Sequence, residues 1–156
     1  YVGFNIVASH SDSPTFKIKE NAELEKSGFI CLNTERYGGM IMSTWFDRPL
    51  SVAGRIVVKD EKGFTSRLVN VDKDWLVIPN LAIHMDRTAN DGKKFNPQSD
   101  MLPLFGDISR KGQFDGVIAD AVGAAKEDIV AKTRLAAEEL YKIVRAARAR
   151  RVSTTN

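Results

Sequence analysis

The stretch "IVASHSDSP", residues 6–14, places His10, one of two histidines in the 156-residue chain, after an apolar run and two residues before Asp12. A neutral imidazole is a good zinc ligand, and a neighbouring carboxylate can orient the ring or raise its basicity. The end of a strand suits such chemistry, because open α/β sheets present their sites at the carboxyl ends of strands. The same residues also read as an exposed loop histidine with Asp12 capping a turn before Pro14. One H-x-D leaves both readings open. The second histidine, His84, lies in "IPNLAIHMDR" beside Asp86 and Arg87. At the end of a short helix capped by Asn80, it could donate a hydrogen bond to a substrate carbonyl or an anion. The plainer reading is a helix-surface histidine paired with Asp86. Spacing alone does not bring His84 near His10.

Residues 37–50, "YGGMIMSTWFDRPL", concentrate Tyr37, Trp45, Phe46, Asp47 and Arg48. Trp, Tyr and Arg are common interface anchors, which makes this segment a candidate site loop or subunit contact. A turn at Gly38 and Gly39, a core Trp and an Asp47–Arg48 turn ending a strand account for it as well. Other catalytic templates are missing from the sequence: there is no GxSxG, GxxxxGK[ST], HExxH or strand-linked GxGxxG. The single cysteine, Cys31, excludes an intrachain disulfide and any paired-cysteine zinc site. Set in the apolar run "FICL", it reads as a core residue, and a reducing compartment fits best. The arginines at 145, 148, 150 and 151 lack interleaved aromatics, so a solvated helix face explains them better than nucleic acid.

The elements that must position these groups divide the chain. Residues 2–8 form an apolar run compatible with a buried strand that delivers "SHSDSP". "TFKIK" alternates as a half-buried strand, and "NAELEKSG" reads as a polar excursion. "FICLNTERYGG", "MIMSTWFD" and "DWLVIP" are further strand candidates. The clearest hairpin runs over 52–59 and 64–71 with its turn at 60–63. After residue 79 the pattern changes to a short helix, a polar loop, an apolar run broken by Pro103 and Gly106, and an Ala-rich tail from 114 to 151 whose composition favours helix. With 43% apolar residues the chain can bury one real core. Its 23 basic and 20 acidic residues leave a formal charge of +3, too slight a surplus to point to nucleic acid. No apolar stretch approaches the ~20 residues of a membrane span, and no leader pattern precedes the first strand. The expectation is a soluble, cytoplasmic protein without nucleic-acid or membrane partners. Because it starts at Tyr1 inside a strand-like run, the sequence reads as a piece of something longer, or a processed or engineered chain.

In order, "ASHSDSPTFKIK", "YGGMIMSTWFDRPLSVAGRIVVKD", "IPNLAIHMDR" and "FNPQSDMLPLFGD" closely resemble the aspartyl aminopeptidase and aminopeptidase I family of cocatalytic zinc exopeptidases. The resemblance covers residues 3–107, and "STWFDRPLSVAGR" and "IPNLAIHM" are its specific blocks. It implies an α+β chain: a β-rich dimerisation domain with flanking helices, preceded by a strand of an α/β zinc-exopeptidase catalytic domain. The implied boundaries are 1–15 for the catalytic piece, 16–130 for the dimerisation insert and 131–156 for a helical or divergent basic tail.

Residue by residue, the resemblance makes His10 a zinc ligand and Asp12 the catalytic carboxylate supporting it. His84 matches the histidine that reaches from the insert into the neighbouring subunit's site and helps hold the substrate carbonyl oxygen. The implied activity is release of acidic or neutral N-terminal amino acids from a peptide substrate, with two zinc ions, in a homo-oligomer built from dimers. Arg48, Arg67 and Arg87 are candidates for an acidic preference, and surface ion pairs explain them equally. The bridging aspartate, the Glu-Glu pair, the further aspartate and the final histidine of the family have no counterpart here. The resemblance also implies a strand where composition favours helix, over residues 130–139. The expected behaviour of these 156 residues alone is therefore to fold through the insert, self-associate and hydrolyse nothing. A stand-alone dimerisation or regulatory module is the alternative.

Overall fold

The computed structural model describes residues 3, 5–9, 13–129 and 141–145. Strands are their main regular element, with few helices. The strands are β1 (Thr15–Lys26), β2 (Phe29–Tyr37), β3 (Leu50–Asp60), β4 (Gly63–Asn70), β5 (Leu104–Asp107) and β6 (Tyr141–Arg145), and the one α-helix among the described residues is α1 (Phe114–Val122). The strands make a six-stranded sheet in the order β4-β3-β6-β1-β2-β5, antiparallel at every junction.

Local chemistry explains the hairpins. Lys26 pairs with Phe29 across Ser27 and Gly28, both at positive φ, the conformation that a two-residue primed turn requires. The expected hairpin forms β3 and β4, and its turn is held by Asp60, which accepts from the Lys62 amide at 2.9 Å and the Thr65 hydroxyl at 2.6 Å. One face of the sheet buries Phe16, Ile18, Ile30, Leu32, Val52 and Ile56 in the main core. Each fully buried side chain of this size contributes roughly 1.5–3 kcal/mol. Trp45 belongs to that core, edge-on to Phe16 with centroids 5.1 Å apart, which settles its role as packing. Cys31 is buried as expected, and burial pushes its thiol pKa up, against a smaller opposing effect of Lys26.

Several expectations are corrected. The run before His10 is no buried strand: its described residues pair with nothing, and Ile6 and Val7 are 84% and 95% exposed. A strand needs a ladder partner and an apolar face to cover, and the described residues offer this segment neither. "NAELEK" is no excursion but the second half of β1, continued past a register shift between Ile18 and Glu23. Its polar side chains find work beyond the sheet. Glu23 accepts from the Gly112 and Phe114 amides at 2.6 and 2.9 Å, and Glu25 pairs with Lys111 at 2.8 Å. "MIMSTWFD" forms a 3-10 turn, Met42–Trp45, because it turns a corner into the core instead of joining an edge. "DWLVIP" makes only isolated bridges at Leu76, Val77 and Ile78.

Helix composition also misleads in the tail. Helix is present at Phe114–Val122, where Gly123 ends it in the left-handed conformation and donates to Ala119 and Asp120. Farther on, Tyr141–Arg145 is strand β6, between β3 and β1, because pairing on both edges outweighs intrinsic preference. Residues 130–139 lie outside the described residues.

Candidate functional site

His84 sits in a loop that runs from Ile78 to Phe95, between the isolated bridge at Ile78 and the ring of Phe95 packed on Phe46. At its entry, Phe46 bridges Ile78 in parallel, and the Asp47 amide donates to the Ile78 carbonyl at 2.9 Å. The Asp47 carboxylate then accepts from the Asn80 amide at 3.0 Å, and the Asn80 side chain accepts from the Leu81 amide at 2.9 Å. Asn80 was expected to cap a short helix. Instead the chain makes one turn, with the Met85 and Asp86 amides both donating to the Ala82 carbonyl at 2.8 and 3.2 Å, and goes no further. Five residues cannot repeat the ladder often enough to offset helix nucleation.

At its exit, Asp86 forms a 2.5 Å ion pair with Lys93 and accepts from the Thr88 hydroxyl at 3.1 Å. Those bonds, Lys93 first, hold the Asp86 carboxyl below its ordinary pKa. Lys93 lies over the Phe95 ring, whose centroid is 4.9 Å from that of Phe46. Both ends of the loop therefore converge on Phe46 and Asp47. Asp86 is committed to Lys93 and Thr88, and among the described residues no hydrogen bond joins it to His84. The imidazole is exposed, flanked by the exposed apolar side chains of Leu81, Ile83 and Met85. Beneath the loop lies a largely apolar cleft of about 550 Å³, lined by Phe29, Cys31, Phe46, Leu81 and Phe95 with Lys26 and Lys93 at its edge.

His10 and Asp12 lie outside the described residues. Among the described residues, no group of three or more His, Cys, Asp and Glu side chains could hold a metal ion. The described part of the chain thus does not fit a zinc site by itself. Of the candidate arginines, Arg67 donates to the Val122 carbonyl at 3.3 Å, tying β4 to the end of α1, while Arg48 and Arg87 are exposed. Sequence reasoning missed the partner of Asp47. An aspartate beside Arg-Pro signals a turn, but nothing local announces that its carboxylate reaches a loop 33 residues away.

Residues 1–143 match the family model described as aminopeptidase I zinc metalloprotease (M18). The chain belongs to the M18 family. Among curated M18 relatives, a probable M18 family aminopeptidase 2 of Clostridium acetobutylicum is 48% identical over 135 residues, 82% of this chain and 31% of the relative. An aspartyl aminopeptidase of Dictyostelium discoideum is 48% identical over 104 residues, 65% of this chain and 22% of the relative. In fold, the chain resembles a protein in the cryo-EM structure of the Ape4 and Nbr1 complex, with a TM-score of 0.77 and 29% identity over 88% of this chain and 29% of that one. The M18 match bears out the resemblance read from the sequence. The chain spans less than a third of the length of these relatives.

Proposed function

We propose that this chain is a part of a zinc-dependent M18 aminopeptidase that releases N-terminal amino acids from peptides. The observation that carries the reading is the M18 match over residues 1–143. In this reading His10 is a metal ligand and Asp12 is the carboxylate behind it. Two zinc ions are held mainly by residues that these 156 do not supply. Residues 16–130, with strand β6 of the same sheet, form a dimerisation module within a homo-oligomer, and the protein works in the cytoplasm. The exposed His84 imidazole, carried on a loop with apolar flanks, is available to a neighbouring subunit's substrate. There it donates a hydrogen bond to the scissile carbonyl oxygen, whose charge grows in the transition state. Alone, the 156 residues hydrolyse nothing.

The test has two arms. The purified chain, given zinc or cobalt and aspartyl or leucyl anilides, is expected to show no hydrolysis. Activity lost on His10→Ala would mean that the chain completes a metal site by itself. In the second arm this chain replaces its matching stretch in the Clostridium acetobutylicum relative. That chimera is expected to hydrolyse peptide anilides, to lose activity with His10→Ala, and to lose about a hundredfold in kcat with His84→Ala. A folded, metal-loaded chimera indifferent to both substitutions would refute the assignment.

A further inference from the structure

Asp47 combines two features that local turn geometry does not require together. Its backbone is left-handed, at φ 54°, a region that aspartate and asparagine tolerate better than other residues with a Cβ. Its main chain and side chain also act on the same target: the amide donates to Ile78 at 2.9 Å, and the carboxylate accepts from Asn80 at 3.0 Å. The two contacts straddle Pro79, which has no amide to contribute. They therefore fix the chain on both sides of the residue where the His84 loop departs. The neighbouring Phe46 takes the other end of the loop through Phe95, with 4.9 Å between the rings.

From this geometry we infer that Asp47 is the positioning residue for His84, setting the direction in which the loop departs from Ile78 and so the place where the imidazole is presented. The left-handed turn aims the carboxylate at Asn80, and Asn80 passes the constraint on by accepting from Leu81 at 2.9 Å. Met85 and Asp86 close on Ala82 immediately beyond, so the imidazole rides on a single turn whose base is held by Asp47. Because the side chain of Asp47 is exposed, its role is this hydrogen bond and not packing.

The functional meaning of the inference rests on the proposed role of His84, but its test does not. Two substitutions separate backbone from acceptor. Asp47→Gly accepts the left-handed conformation and removes the carboxylate, whereas Asp47→Asn keeps both the conformation and an acceptor oxygen. Amide hydrogen exchange and heteronuclear NOE are measured by NMR on the whole chain. In Asp47→Gly the Asn80 amide is expected to exchange about fivefold or more faster, with lowered NOE values over residues 81–85, while amides of the β3–β4 hairpin keep their rates. In Asp47→Asn the Asn80 rate and the loop NOE values are expected to stay near wild type. Unchanged Asn80 exchange in Asp47→Gly would overturn the inference. So would equal disturbance by Asn and Gly, or an acceleration shared by the hairpin. Failure of the His84 substitution in the chimera would instead remove the substrate role and leave the Asp47 contact standing.

Discussion

At the scale of single residues, carboxylates tie down the loops. Asp60 is held by Thr65 and Lys62, Asp86 by Lys93 and Thr88, Asp100 by the Asn96 amide and Ser99, and Asp107 by Ser109. Each has its pKa lowered by bonds that favour the charged form. The sign of the consequence follows. A carboxylate with a folded pKa below its unfolded value near 3.9 adds stability above that value and loses it as pH falls towards the folded pKa. The urea midpoint is therefore expected to hold from neutral pH to about pH 5 and to fall below about pH 4. Asp86→Asn is expected to flatten part of that fall. A midpoint that rises on acidification would contradict the assignment.

At the scale of elements, α1 is capped from another strand. Its first-turn amide at Phe114 and the preceding Gly112 amide both donate to Glu23 of β1, so β1 stabilises a helix 91 residues later. Gln113, the residue before the helix, has no capping hydrogen bond of its own to the helix amides. Glu23→Ala is expected to lower stability by about 0.5–2 kcal/mol, the usual value of an N-terminal cap, seen as a lower urea midpoint at unchanged slope. Faster exchange at Gly112 and Phe114, with the β3–β4 hairpin unaffected, would locate the loss. Glu23→Gln, which keeps an acceptor, is expected to recover most of it. The β3–β4 hairpin was legible because alternation, β-branched residues and turn chemistry agree over a short stretch. The second half of β1 was not, because polar strand residues look like loop until their partners are known.

For the whole molecule, the decisive placement is β6. Leu50–Gly54 of β3 and Phe16–Ile18 of β1 both pair with β6, which thereby joins the β4-β3 ladder to the β1-β2-β5 ladder. Removing residues 141–156 takes away that junction. The shortened chain is expected to lose cooperative unfolding by circular dichroism, with Phe16, Ile18 and Val52 of the core losing protection from exchange. Retention of one sharp transition at an unchanged urea midpoint would show that the ladders hold together without β6. Nothing in the helix-favouring composition of this stretch hinted at such a position, because an inner strand is set by its two neighbours.

The family, the β-rich character, the β3–β4 hairpin and the burial of Cys31 are legible in the residues alone, which also single out both histidines. The family and the histidines stand in contiguous motif blocks, and the hairpin and the buried Cys31 in short apolar patterns that half-buried strands produce. The hold of Asp47 on Asn80, the capping of α1 by Glu23 and the place of β6 in the middle of the sheet come from the packed fold. Each joins groups far apart in the chain. A carboxylate or a strand edge carries no mark of its distant partner, and the choice among partners is made when the whole core packs.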